Sequence, residues 1–214
     1  MDTRFKRIKK KFNVPRVVLC RHGTTDLNNT DKSEDRIRGW IDVELNDHGR
    51  KDAENAAKQL KDVKIDSIFS SDLVRAEETA QIINKDHNVP IITSSSLRPW
   101  NLGDFQGQQT DKVIDQINEH IEKPTEKVPN GESFQEFNNR YIGMLDYIIK
   151  LAIKKKEIIL ITTHLRNLKL ADGWVQNGCP EDHSVDPDVI INDEFSPGEL
   201  YEIPLDQYKK LRNK

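Results

Sequence analysis

The run Val17-Val18-Leu19-Cys20 stops abruptly at Arg21-His22-Gly23. An apolar run with no charge to face water predicts a strand covered on both faces, as in a mostly parallel sheet. Two later stretches behave alike. Ile65 to Phe69 ends in Ser70-Ser71-Asp72, and Ile158-Ile159-Leu160-Ile161-Thr162-Thr163 ends in His164. Each of these two is followed directly by a helical pattern, Leu73 to Asn84 with Arg75 in its first turn and Leu165 to Asn177. Strand, polar end and helix in repetition predict an α/β fold, a three-layer α/β/α sandwich with a mostly parallel central sheet. Chemistry in such sheets gathers at the carboxyl ends of the strands.

The remaining chain fits that frame. Asn46 is a helix cap, and Ala53, Ala56, Ala57 and Leu60 give the helix from Asp47 to Leu60 a small apolar face. Ile91-Ile92 is a short strand, Thr110 to Ile121 a helix, and Glu132 to about Lys154 a long amphipathic helix. Leu200 to Ile203 is a last strand after an acidic loop. Residues 94–156 read as a helical insertion, or lid, over the strand carboxyl ends. Residues 1–13 form a basic arm and 14–214 the domain. Trp40, Trp100 and Trp174 read as packing residues.

Composition narrows the function classes. A formal net charge of -3 argues against a general nucleic-acid binder. No apolar stretch is long enough to span a membrane. The basic start lacks the apolar segment of a secretory signal, so the expected location is cytoplasmic. Cys20 and Cys179 stand far apart, and no histidine or cysteine pair has ligand spacing, so neither a disulfide framework, a metal site nor another cofactor is expected.

Three strand ends therefore present Arg21 with His22, then Arg75, then His164. Two guanidinium forks and two imidazoles at corresponding points of one sheet make a phosphate-sized cationic pocket. At this point the sequence resembles the histidine phosphatase superfamily, in its phosphoglycerate-mutase-like branch. Arg21-His22-Gly23 with Asn28 matches the opening signature. Arg36-Ile37-Arg38-Gly39-Trp40-Ile41-Asp42 with Leu45 and Gly49 matches the next block. Ser70-Ser71-Asp72-Leu73-Val74-Arg75-Ala76 with Thr79-Ala80 carries the second arginine, Pro129-Asn130-Gly131-Glu132-Ser133 with Arg140 precedes the long helix, and Thr163-His164 supplies the second histidine.

The resemblance implies a nucleophilic His22 that forms a phosphohistidine. It implies Arg21, Arg75 and His164 around the non-bridging oxygens, with Asn28 as a further donor, and Arg38 and Gly39 in a loop near substrate. Two departures bear on the reaction. The block Leu97-Arg98-Pro99-Trp100-Asn101-Leu102-Gly103-Asp104-Phe105-Gln106-Gly107 places Pro99 where the family carries a glutamate acid, which leaves Asp104 as a possible general acid. Leu165-Arg166-Asn167 follow His164 where the family has glycine and small residues. Arg38, Arg98, Arg166 and Lys169 favour a multiply charged substrate. The implied function is a metal-independent phosphatase acting on small phosphorylated metabolites or nucleotides with a good leaving group. The alternatives are a phosphoglycerate mutase and an inactive phospholigand-binding module.

Overall fold

The structure is a computed structural model, and it describes residues 15–28, 34–185, 190–191, 194–206 and 208. The basic arm lies outside the described residues. The elements in chain order are β1 (Arg16–Arg21), α1 (Asp47–Leu60), β2 (Ser67–Ser71), α2 (Val74–Asn84), β3 (Ile91–Ser94), α3 (Thr110–Glu122), α4 (Phe134–Lys155), β4 (Ile158–Thr163), α5 (Leu165–Gln176) and β5 (Leu200–Glu202). The sheet order is β3-β2-β4-β1-β5. The first four run parallel and β5 closes one edge antiparallel. The expected α/β sandwich with a mostly parallel sheet is the fold observed.

All six residues of β1 and all six of β4 are buried, which explains why both read as apolar runs without alternation. The two faces serve different layers. Val17, Leu19, Ile159 and Ile161 pack with α4 and α5 through Ile142, Leu145, Ile149, Leu168 and Ala171. Val18, Cys20, Ile68 and Leu160 pack against the smaller faces of α1 and α2, built from Ala56, Ala57, Leu60, Ala80 and Ile83. Alanine-rich helices on one side let the sheet and helices approach closely there, and the aromatic bulk lies on the other side. In the 94–156 segment, α4 lies in that second layer against β1 and β4, while Val113, Ile117 and Ile121 of α3 join the same core.

Local signals set the boundaries. The Asn46 side chain accepts from the Gly49 amide at 3.0 Å and starts α1, as expected. Ser133 and Glu136 form a reciprocal capping box that starts α4. The second strand differs from its sequence reading: it spans Ser67–Ser71 rather than Ile65 to Phe69. Ser70 and Ser71 look like a polar strand end, yet both are buried within the ladder. The Ser70 hydroxyl donates to the Ser71 carbonyl at 2.8 Å and accepts from Thr162 Oγ1 at 2.8 Å, so its polarity is satisfied inside the sheet.

Candidate active site

The register between β1 and β4 pairs Arg21 with Thr163, so the residues that follow, His22 and His164, leave the sheet side by side. The His22 amide still donates to the Thr163 carbonyl at 2.9 Å, which extends the ladder by one bond and fixes the histidine backbone. The two imidazole centroids lie 5.1 Å apart at 62°. From the first turn of α2, after the neighbouring strand β2, Arg75 reaches back to place its Nε 3.3 Å from His22 Nε2. Three strand ends thus bring Arg21, His22, Arg75 and His164 together, as the sequence spacing anticipates.

The hydrogen bonds assign a tautomer. His22 Nδ1 lies 2.7 Å from the Gly23 carbonyl, which only accepts, so Nδ1 carries the proton. Nε2 is left with its lone pair, and the Arg75 N–H points at it. Gly23 occupies a position that admits no side chain, because a Cβ there would collide with the backbone of Gly49. Arg75 is 1% exposed, and its Nη1 and Nη2 donate to the carbonyls of Ile41 and Gly39, each at 2.8 Å. Gly39 therefore acts through its backbone, by orienting the guanidinium. Arg21 donates through Nη1 to the Phe195 carbonyl, while its Nε is buried without a partner. Both ring nitrogens of His164 are buried and unpartnered as well.

Cations predominate in this arrangement, with the carboxylates of Asp35, Glu194 and Glu199 acting in the opposite sense on Arg21 and Asp42 on Arg75. Among the described residues, the hydrogen-bond partners of Arg21 and Arg75 are backbone carbonyls and His22 rather than carboxylates. Burial lowers the Arg21 guanidinium to about 10 and Arg75 to about 9, with the charge of Arg38 adding to both shifts, and both remain cationic at neutral pH. Burial, then Arg75 and Arg21, holds His22 well below the ordinary imidazole range. Burial and Arg75 do the same for His164. The result is a neutral imidazole lone pair among fixed cations with open donor positions. An anion with several oxygens satisfies the orphaned Arg21 Nε, the His164 ring and the unspent N–H groups at once.

The other expected residues are placed as follows. Asn28 accepts from the Thr25 amide and hydroxyl at 3.0 and 2.9 Å, so its Oδ1 closes the loop and its amide nitrogen is the group that can face a ligand. Arg38 donates from Nη1 to the Leu27 carbonyl and to Asp35 at 2.8 and 3.0 Å. Arg166 lies in the first turn of α5, its guanidinium carbon 5.8 Å from the Trp100 ring centroid. Asp104 is hydrogen-bonded to a loop residue and not to the histidines. Its carboxylate is exposed on a short 3₁₀ turn and accepts from Asn130 Nδ2 at 3.0 and 3.1 Å. In the resting site the Asp104 carboxylate is thus engaged by Asn130.

Sequence reasoning did not identify the clasp that holds the Pro99 loop. Arg140 binds both oxygens of Glu132 at 2.8 Å and donates to the carbonyls of Ser95, Ser96, Arg98 and Pro99. Trp40 lies against Arg98 and Arg140, with guanidinium carbons 4.7 and 5.7 Å from its ring centroid, and its Nε1 donates to the Pro99 carbonyl at 2.8 Å. The signal was present in the Pro129-to-Ser133 block with Arg140, but a pattern of residues does not say that one arginine will collect four carbonyls.

Comparison with known proteins agrees with this geometry. The model of the histidine phosphatase superfamily (branch 1) matches residues 17–183. The chain belongs to the histidine phosphatase superfamily. Phosphoglycerate mutase-like protein 4 of Arabidopsis thaliana is 37% identical over 157 residues, which cover 69% of this chain and 65% of that protein, so the match spans just under two thirds of its length. The uncharacterized phosphatase PhoE of Bacillus subtilis is 30% identical over 165 residues, covering 77% of this chain and 79% of that one. A mycobacterial glucosyl-3-phosphoglycerate phosphatase, solved with VO3, shares the fold with a TM-score of 0.69 at 24% identity, over 88% of this chain and 92% of that one. The expected class, a phosphoester hydrolase of the histidine phosphatase type, is the one to which the family match and the Bacillus subtilis phosphatase point.

Proposed function

We propose that the chain is a metal-independent phosphatase that works through a phosphohistidine at His22 and acts on small phosphorylated compounds with a good leaving group. The observation that carries this reading is His22 itself. Its Nδ1 is held by the Gly23 carbonyl, so Nε2 presents its lone pair, which accepts from Arg75 Nε at 3.3 Å, with the unpartnered ring of His164 alongside. A module that only binds phosphate has no use for a nucleophile so oriented.

The residues divide the work. Arg21, Arg75 and His164 take the non-bridging oxygens, and Asn28 adds a donor. His22 Nε2 attacks phosphorus, the bond to the leaving oxygen breaks, and its electron pair departs with that oxygen. Water then attacks the phosphoryl group, the P–N bond returns its pair to Nε2, and the two water protons leave on dihydrogen phosphate. Fixed cations supply the charge stabilisation that a metal ion supplies elsewhere, since phosphoryl transfer depends on positioning and electrostatics.

The leaving group decides which substrates suit the site. Pro99 has no proton to give, and its carbonyl is engaged by Trp40 and Arg140. A positioned general acid is worth about 10²–10⁴-fold in rate. Alkoxide leaving groups therefore depart slowly here, which weighs against phosphoglycerate mutase chemistry. The test is phosphate release in EDTA from p-nitrophenyl phosphate and from 3-phosphoglycerate, with wild-type protein and Asp104→Asn. The reading expects the aryl ester to be faster by about 10² or more, with no change in that ratio in the variant. Equal turnover of both esters, or strong 3- to 2-phosphoglycerate interconversion, overturns it.

A further inference from the structure

The four cations outside the phosphoryl pocket have different fates. Arg98 is committed to Asp72 by two 2.7 Å bonds. Lys169 donates to the Ile191 carbonyl at 3.3 Å. Arg38 uses Nη1 on Leu27 and Asp35 and keeps its other N–H groups. Arg166 has no hydrogen-bonding or carboxylate partner among the described residues. What fixes it is the Trp100 ring beneath it. That ring is fully buried, anchored by Nε1 to the Glu132 carbonyl at 2.8 Å and stacked on Phe137 with planes 2° apart. Asn167 ties the same helical turn to the carbonyls of Leu97 and Arg98 at 3.1 and 3.2 Å. Arg166 is thus a guanidinium on a rigid floor with its donors unspent.

Arg166 stands two residues past His164 in the first turn of α5, over Trp100, and its neighbour Asn167 bonds the Leu97 and Arg98 carbonyls, which puts Arg166 at the edge of the pocket beside Pro99. The charge of Arg38 acts on Arg166, and also on Arg21, His22, Arg75 and His164. Burial and that neighbour lower Arg166 to about 10, so it stays cationic among like charges. Positive charge thus extends past the residues that hold one phosphoryl group, although Asp35 partly offsets Arg38, and an anion beside Arg38 and Arg166 lowers their repulsion. At the neighbouring position, Pro99 removes the proton donor for the leaving group. A departing oxygen can be stabilised by a proton or by cations; this site lacks the first and has a surplus of the second.

Building on the phosphatase reading, we propose that the preferred substrates are terminal phosphoanhydrides, compounds ending in a diphosphate, with Arg166 and Arg38 holding the phosphate that departs. His22 Nε2 forms a bond to the terminal phosphorus, the anhydride P–O bond breaks, and its electron pair stays on the bridging oxygen. That oxygen becomes part of a phosphate already able to carry the charge, and no proton is needed. Water then releases the terminal phosphoryl group as inorganic phosphate.

The experiment compares a nucleoside diphosphate, the matching monophosphate and p-nitrophenyl phosphate in EDTA, using wild-type protein, Arg166→Gln and Arg166→Lys. The diphosphate should exceed the monophosphate in kcat/KM. Loss of charge-assisted bonds in Arg166→Gln should lower the diphosphate-to-aryl ratio about tenfold or more, with Arg166→Lys between. Methylenediphosphonate, which is not cleaved, should inhibit p-nitrophenyl phosphate hydrolysis, with a Ki raised about tenfold in Arg166→Gln and a smaller rise for inorganic phosphate. If the aryl ester is hydrolysed but the ratio and the Ki do not move, the anhydride assignment is overturned while the phosphatase reading stands. If no substrate releases phosphate in EDTA, both are overturned.

Discussion

Replacing Arg75 with methionine removes the guanidinium while keeping an unbranched apolar stem in its buried slot. In the resting site Arg75 spends one N–H of each Nη on Gly39 and Ile41 and aims Nε–H at His22. Nε–H and the second N–H of each Nη remain for the equatorial oxygens of a transferring phosphoryl group. Loss of a preorganised donor of this kind costs about 2.7–4 kcal/mol of transition-state stabilisation, or about 10²–10³ in kcat. Stability should respond less, because two effects oppose. The Gly39 and Ile41 carbonyls lose donors at about 1 kcal/mol each, while repulsion among Arg21, Arg38 and Arg75 falls. The assay is kcat on p-nitrophenyl phosphate at saturation, paired with the urea midpoint to show that the protein is folded. A folded Arg75→Met protein that keeps more than about a tenth of wild-type kcat refutes the reasoning, since a clamp on the transferring group cannot be so dispensable.

Acid should destabilise the protein through its two neutral histidines. Folding depresses the pKa of His22 and His164, so below about pH 6.5 the unfolded chain binds protons that the folded chain refuses, and stability falls by about 1.4 kcal/mol per pH unit for each. Urea midpoints from pH 7 to 5 should therefore fall less steeply in His164→Asn than in wild type; parallel slopes would contradict the burial of a neutral ring. Gly23→Ala should fail to fold or lose most activity, because its Cβ meets the Gly49 backbone, whereas a fully active Gly23→Ala protein would mean that the two loops are not in contact. Arg140→Met should cost about 3 kcal/mol in urea unfolding by removing the charged partner of Glu132 and one donor from each of four carbonyls, and a loss under about 1 kcal/mol would show the clasp to be incidental.

Much of this architecture was legible because burial on both faces leaves a plain mark. β1 and β4 lie where their apolar runs predict, and so does the convergence of His22, Arg75 and His164, since parallel neighbours carry corresponding residues to one end of the sheet. β2 was misplaced because serine at a strand end looks like a turn unless its hydroxyl partner is known, and Thr162 belongs to a strand distant in sequence. Asp104 illustrates a related point. Nearness to Pro99 in sequence says nothing about which side of a 3₁₀ turn faces the site, and Asn130 captures the carboxylate from another loop. Arg98 and Arg166 are equivalent cations in sequence, and only tertiary structure gives one of them Asp72 and leaves the other on Trp100.

The most direct measurement is to trap the covalent intermediate. Protein mixed with a phosphoryl donor in EDTA and quenched in base within the first turnover should carry one acid-labile, alkali-stable phosphoryl group. Peptide mapping should place it on His22, with the label absent from His22→Ala. A label on any other residue, or steady phosphate release by His22→Ala at the wild-type rate, would contradict the account.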